Sequence, residues 1–219
     1  MSLVAVAFNE SEAVIGSDGR HILRHALFGD LLSGDGFRKF AVVRPKRLVI
    51  AGTGSVLAYL RVWGLAHQLA RRLPDDELFE ALREKLNSFL PRYCRRPEGK
   101  PSDAYRCSRF ALVGYCGKLG RIRLCTWEPD KAYQCKEAEV FRPFGFGGFG
   151  ALDNPESERL FNKASRMETQ TDAVEFLIRE IAKIDPCVGG ETFTYEIKAP
   201  AQPSKWARVA VFNPWGMRS

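Results

Sequence analysis

Nothing in the 219-residue sequence approaches the roughly 18 to 20 consecutive apolar residues that a membrane-spanning helix needs. The start, Met-Ser-Leu-Val-Ala-Val-Ala-Phe, has no basic segment ahead of its apolar run, and Asn9 and Glu10 interrupt it at once. It reads as a strand and not as an export signal, so a cytoplasmic protein with no membrane partner is expected. Cysteine is sparse and scattered. Cys94, Cys107, Cys116, Cys125, Cys135 and Cys187 include no C-x-x-C pair, which argues against a zinc site. With no export signal, a disulfide framework is not expected either. His21, His25 and His67 have no Cys or Asp partner at a diagnostic spacing and read as structural or surface residues. No metal and no cofactor is therefore expected, and no internal repeat is present.

What is there is a chain 45% hydrophobic, enough to bury one large core. The net charge of +7 draws on a cluster at Arg92, Arg95, Arg96, Lys100, Arg106 and Arg109. Such a cluster can be a solvated loop face or a surface for an acidic partner or nucleic acid. Aromatics are not interleaved with it, so nucleic acid is the less favoured partner.

Along the chain, residues 3–8 and 13–17 are apolar runs at hairpin spacing. Residues 18–36 are polar and glycine-rich. Residues 39–43 and 47–51 make a second strand pair around Arg44-Pro45-Lys46. Gly52-Thr53-Gly54-Ser55 breaks the strand. Ala58, Val62, Leu65, Leu69 and Leu73 then recur at helical spacing, and Leu78, Phe79, Leu82, Leu86 and Leu90 mark a second helix opened by Asp75 and Asp76. A basic loop is expected over 91–107. Residues 110–115 and 122–127 form a third strand pair, residues 137–142 a further strand, and Gly145 to Gly148 a glycine loop. Helices follow over 155–167 and 171–183, the latter capped by Thr171 and stopped by Gly189-Gly190, and 193–197 is a last strand. Hairpin connections imply antiparallel sheets, and helices grouped outside them imply a layered sandwich. Residues 1–199 are read as one domain and 200–219 as a tail.

The run Ser2-Leu3-Val4-Ala5-Val6-Ala7-Phe8, followed by Ala13 through Asp18-Gly19-Arg20, resembles the opening of a proteasome β subunit. Those proteins carry a nucleophilic residue at the mature N-terminus and an Asp-x-Arg signature, and Asp18 lies sixteen residues after Ser2, as in the family. Lys39 is similar to the family lysine opening the third strand, and Ala51-Gly52-Thr53-Gly54-Ser55 to its glycine turn. The glycine loop and the segment from Asp185 to Gly190 also match in position. The resemblance implies an α+β fold of the N-terminal-nucleophile (Ntn) hydrolase kind: a four-layer αββα sandwich with two antiparallel sheets. It departs from the family at Phe146 and at Cys187-Val188, where the family places serines, and the segment after Arg20 is longer than usual.

The implied chemistry needs little apparatus. A small second residue permits removal of Met1, which leaves a free α-amine beside the Ser2 hydroxyl. That amine has a pKa near 8 and serves as general base. Ser2 thus supplies nucleophile and base together. Lys39 is the expected charge favouring the alkoxide, with Lys46 as the alternative. Asp18 is expected to pair with Lys39, Arg20 to hold the hairpin end, and Asp185 to play a supporting part. Backbone N–H groups at Gly52, Thr53 and Gly54 are the expected oxyanion donors. Lys39, placed at a strand end, is expected to tolerate replacement by Ala without loss of fold. The implied activity is amide hydrolysis through a Ser2 acyl-enzyme, with ligation where an amine captures the ester. The alternatives are an inactive scaffold on the same fold and a basic binding module using residues 92–109. A peptide or protein substrate, a homo-oligomeric ring and an unfoldase of unknown identity complete the implied partners, with Tyr59, Trp63, Trp206, Phe212 and Trp215 as interface candidates.

Overall fold

The computed structural model describes residues 3–25, 29–93, 108–138, 144–150 and 155–200. Its elements are β1 (Leu3–Phe8), β2 (Glu12–Asp18), β3 (His21–His25), β4 (Gly29–Gly34), β5 (Phe40–Arg44), β6 (Leu48–Thr53), α1 (Val56–Ala70), α2 (Asp75–Tyr93), β7 (Arg109–Cys116), β8 (Arg121–Trp127), β9 (Lys136–Glu137), β10 (Gly145–Gly150), α3 (Pro155–Ala164), α4 (Gln170–Ile184) and β11 (Thr192–Lys198). One antiparallel sheet has the order β10-β1-β2-β11 and a second the order β5-β6-β7-β8-β9, while β3 and β4 form a separate hairpin. No helix among the described residues is long and apolar enough to cross a membrane.

Three packing layers account for the sequence pattern. Val4, Val6, Phe8 and Ile15 of the first sheet meet Val49, Ala51, Val113 and Leu124 of the second, all buried. On the outer face of the first sheet, Leu3, Ala5 and Ala7 lie under Val174, Leu177, Ile178 and Ile181 of α4. On the outer face of the second, Ile50, Phe110, Leu112 and Trp127 lie under Val62 of α1 and Leu78, Phe79, Leu82, Leu86 and Leu90 of α2. Alternate residues of β1 therefore face a helix layer and the other sheet, and all six are buried. A strand covered on both faces has no side that favours polar residues, which is why Leu3 to Phe8 reads as an unbroken apolar run. Each large side chain so buried contributes roughly 1.5–3 kcal/mol. The expected αββα sandwich with two antiparallel sheets is the fold found.

Several local expectations are corrected. The glycine loop is a strand: β10 pairs with the whole of β1, from Leu3 opposite Gly150 to Phe8 opposite Gly145. Glycine weakens strands in isolation, but here it makes room, because a Cβ on Gly147 would sit 2.5 Å from Leu124 Cδ2. The segment 18–36 holds the β3–β4 hairpin, with an irregularity between Leu23 and Arg24. Thr169, not Thr171, caps α4 by accepting the Asp172 N–H at 3.1 Å. That helix ends before Gly189: Asp185 is already extended (φ −120°, ψ 109°), as expected of a residue preceding proline. In α1 the buried line is Ala58, Tyr59, Val62, Ala66 and Ala70, with Leu65, Leu69 and Leu73 only partly buried beside it. The strand expected over 137–142 is β9, ending at Glu137. Residues 139–143, most of the basic loop, and the tail from 201 lie outside the described residues.

Replacing Gly147 by Val should cost about 1–3 kcal/mol in urea unfolding, because Leu124 is fully buried and has no room to retreat. Gly36, which has nothing within 4 Å of an added Cβ, should accept Ala within about 0.5 kcal/mol.

Candidate active site

Strand ends converge on one edge of the sandwich. β1 starts there at Leu3, β2 finishes there at Asp18, β5 starts just after Lys39, and β6 finishes at Thr53. Asp18 is fully buried and Lys39 is 3% exposed. One carboxylate oxygen of Asp18, Oδ1, accepts the Leu3 N–H at 2.7 Å and also pairs with the Lys39 ammonium. The other, Oδ2, accepts the Gly189 N–H at 3.3 Å. Lys39 Nζ donates in addition to the Asp18 carbonyl at 3.0 Å. The Lys39 N–H reaches Ser17 Oγ at 3.3 Å, and the Lys39 carbonyl accepts the Gly52 N–H at 3.0 Å. Burial pushes the Lys39 amine below its ordinary value, and the charge of Arg20 adds to that. The neighbouring Asp18 carboxylate opposes both.

Arg20 closes this edge from outside. Its Nε pairs with Asp35 at 3.1 Å and its Nη1 donates to the Pro186 carbonyl at 2.7 Å. The N–H groups of Gly19 and Arg20 both reach the Gly189 carbonyl, at 3.0 and 2.8 Å. Glycine is required at 189, where φ is +154° and an added Cβ would lie 2.9 Å from the Arg20 guanidinium carbon. Asp185 shapes the same turn: its Oδ1 accepts the Cys187 N–H at 2.8 Å and its carbonyl accepts the Val188 N–H at 3.0 Å. It braces the loop that carries Gly189 and makes no described bond to Asp18 or Lys39.

Of the expected residues, Asp18, Lys39, Arg20 and Gly52 are thus brought together with the first described residue of the chain. Ser2 lies outside the described residues; its carbonyl carbon is covalently joined to the Leu3 nitrogen that Asp18 holds. Lys46 is removed from the site, because it follows β5 where Lys39 precedes it. Its N–H meets Tyr195 Oη at 2.9 Å at the far end of the sheet. The Gly52 N–H is already spent on Lys39, and Thr53, 9% exposed, sits in the β6–β7 ladder opposite Arg109. Gly54, exposed with φ +94°, turns the chain into α1, whose cap Ser55 accepts the Ala58 N–H. Phe146 and Val188, standing where serines were expected, are packed. Phe146 stacks edge-on against Phe161 at 4.8 Å, and Val188 is buried under α4. Ser17 and Asp35 were not foreseen as site residues; Gly189 reads in the sequence as part of a helix stop and of the segment from Asp185 to Gly190 that matches the family in position, without its bond to Asp18.

A cavity of about 270 Å³ lies elsewhere, between the Asn9 turn, the start of α4 and the end of β11. It is at the other end of β1 from Asp18. Of the basic cluster, Arg92 is in the last turn of α2 and Arg109 lies 4.0 Å from Glu128. The other four members are outside the described residues. Among the described residues no group of three or more His, Cys, Asp or Glu side chains is placed to hold a metal.

No family model matches the sequence, and no curated protein does. Solved structures do. The eukaryotic HslV from Trypanosoma brucei superposes with a TM-score of 0.58 at 10% identity, over 90% of this chain and 99% of that one. Anbu, an ancestral beta-subunit from Yersinia bercovieri, superposes with a TM-score of 0.59 at 16% identity, over 90% of this chain and 82% of that one. The likeness is one of fold: the αββα sandwich with two antiparallel sheets described above.

Lys39→Ala should destabilise by about 3–5 kcal/mol, because it strands a buried carboxylate; its expected tolerance rested on a solvent-facing strand end, which the burial of Lys39 overturns. The double variant Lys39→Ala/Asp18→Asn should recover most of the loss in urea unfolding. The Lys39 pKa is lower in the folded chain than in the unfolded one. The unfolded chain therefore binds more protons between the two values, and stability rises with pH up to about 10.4. A pH series of unfolding free energies should show that rise in the wild type and not in the double variant.

Proposed function

We propose that this chain is an amide hydrolase of the N-terminal-nucleophile kind, working through a Ser2 acyl-enzyme after loss of Met1. The observation that carries the reading is the buried Asp18–Lys39 pair seated on the Leu3 amide, one residue beyond Ser2. Few structural needs explain an ammonium and a carboxylate placed out of water at a strand terminus, since a buried pair seldom stabilises a fold better than apolar residues would. Perturbed, buried titratable groups of this sort concentrate at reactive sites. The fold shared with HslV and Anbu supports the same reading.

In the proposed reaction the Ser2 α-amine takes the hydroxyl proton and Ser2 Oγ attacks the scissile carbonyl. The Lys39 charge lowers the cost of the alkoxide. The amine returns the proton to the leaving nitrogen, and water or an acceptor amine then resolves the ester, giving hydrolysis or ligation. Asp18 orients Lys39, and Arg20 and Asp185 hold the flanking turn. With the Gly52 N–H occupied, the oxyanion donor falls to the backbone at Gly54. The β3–β4 hairpin, which leaves and rejoins the site edge at Gly19 and Phe37, borders the cleft for a peptide or protein substrate. Assembly with further copies is part of the proposal. Val56, Leu57, Leu60 and Trp63 form an exposed apolar stripe on α1, whereas Tyr59, the other candidate anchor on that helix, is buried.

A scaffold without activity is the second reading. It is favoured by the buried Val188 and the partly buried Phe146, packed where the family has serines.

Intact mass of the native protein should begin at Ser2, and a β-lactone should add to it once per chain. Ser2→Ala should abolish labelling with the fold retained. A retained Met1, or unchanged labelling of Ser2→Ala, would leave the scaffold reading in possession. Light scattering at micromolar concentration should show an oligomer, and Leu60→Glu with Trp63→Glu should reduce it to monomer.

A further inference from the structure

Away from the strand-end site, α2 and the β7–β8–β9 edge enclose a group of thiols and paired charges. Arg123 of β8 pairs with Glu80 of α2 and, in bidentate fashion, with Glu137 of β9, its Nε meeting Glu137 Oε1 at 2.6 Å. Arg83 of α2 holds the other oxygen of Glu80 at 2.7 Å. Cys116 of β7 donates to Glu80 Oε1 at 3.3 Å. In the β8–β9 ladder Cys125 stands opposite Glu137 and Thr126 opposite Lys136. Arg123 therefore reaches Glu137 along a diagonal of the ladder. The same diagonal, two residues on, joins Cys125 to Cys135. Both side chains pack on the α2 face of the sheet, Cys125 fully buried and Cys135 half-buried. Both thiols are free.

We propose that Cys125 and Cys135 are a redox-active dithiol that a hydroperoxide converts to an intramolecular disulfide. Cys135 is the attacking residue: it is the more accessible, and the neighbouring Cys125 thiol together with the Arg83 and Arg123 guanidiniums holds its thiol below the ordinary range. Cys125 is the resolving residue, pushed up by its Cys135 neighbour and by burial, and so it keeps its proton. The other charged groups facing the pair, Glu80 and Glu137, are already neutralised by Arg83 and Arg123.

In the first step Cys135 sulfur forms a bond to the distal peroxide oxygen, the O–O bond breaks, and the departing oxygen leaves as an alcohol or water after taking a proton. In the second, Cys125 sulfur attacks the sulfenic sulfur, the S–S bond forms, the S–O bond breaks, and the Cys125 proton leaves with the hydroxide as water. Two thiols lose two electrons and one peroxide gains them. The product staples β9, a two-residue edge strand, to β8. This inference is independent of the reading of Ser2 and Lys39.

The test treats the full-length reduced chain with hydrogen peroxide, blocks remaining thiols with N-ethylmaleimide, and maps tryptic peptides under non-reducing conditions. Cleavage at Arg123, Lys131 and Lys136 places the two cysteines on separate peptides, 124–131 and 132–136. The expected result is a disulfide-linked pair of these peptides that dithiothreitol separates. A rise in thermal midpoint of roughly 5 °C on oxidation should accompany it. Cys125→Ser should instead accumulate a Cys135 sulfenic acid that dimedone traps, and Cys135→Ser should leave Cys125 unoxidised. Linkage of either cysteine to Cys116 or Cys187, over-oxidation of Cys135 with no cross-link in the wild type, or dimedone adducts absent from Cys125→Ser would each overturn the proposal.

Discussion

A single buried carboxylate organises the edge of this molecule. Asp18 takes the Leu3 N–H and the Lys39 ammonium on one oxygen and the Gly189 N–H on the other. A charge out of water must be satisfied by partners that cannot move away, or it costs several kcal/mol. Three chain segments distant in sequence are therefore held to one point: the start of β1, the start of β5 and the loop after α4. Lys39 also bridges the two sheets, since its backbone meets Ser17 of one and Gly52 of the other. The arrangement fixes geometry at the expense of stability, a trade that structural needs alone rarely explain.

The sandwich supplies the setting for that trade. The central strand β1 is covered on both faces, and the polar groups of this site lie at strand ends. β1, β2, β5 and β6 all terminate at the Asp18 edge, and the loop after α4 is latched there by Arg20. The close approach of α4 to the first sheet depends on small residues under it. A Cβ on Gly16 would meet Val174 at 2.3 Å and Ile178 at 2.8 Å. Glycine thus serves two purposes in one chain: packing space in the strands, and positive φ in the turns at Gly54, Gly189 and Gly190.

The dithiol belongs to the opposite logic. It lies where β9 is too short to be secured by its own ladder, and where α2 contributes Glu80 and Arg83 to an ion-pair cluster. Such an edge is a place where one added covalent bond alters local order without touching the buried layers beneath it.

By itself the sequence determined the main helices and the three strand pairs β1–β2, β5–β6 and β7–β8. These follow from local periodicity: residues 78, 79, 82, 86 and 90 recur at helical spacing, and all five are buried in α2 as that spacing requires. The order and spacing of Ser2, Asp18 and Lys39 likewise pointed to the residues that meet at the site edge, apart from Ser2 itself, whose placement lies outside the described residues. What tertiary structure alone decided was pairing and burial. β10 is legible as a glycine loop until β1 is beside it, because a strand is stabilised by its partner and not by its own propensities. By spacing alone the inward face of α1 reads as Ala58, Val62, Leu65, Leu69 and Leu73, but the sheet beneath selects Ala58, Val62, Ala66 and Ala70 and leaves the three leucines partly buried beside them. The burial of Lys39, the use of the Gly52 N–H and the meeting of Cys125 with Cys135 are likewise contacts between segments far apart or on a ladder diagonal. No local pattern encodes them, because each depends on where a second piece of chain comes to rest.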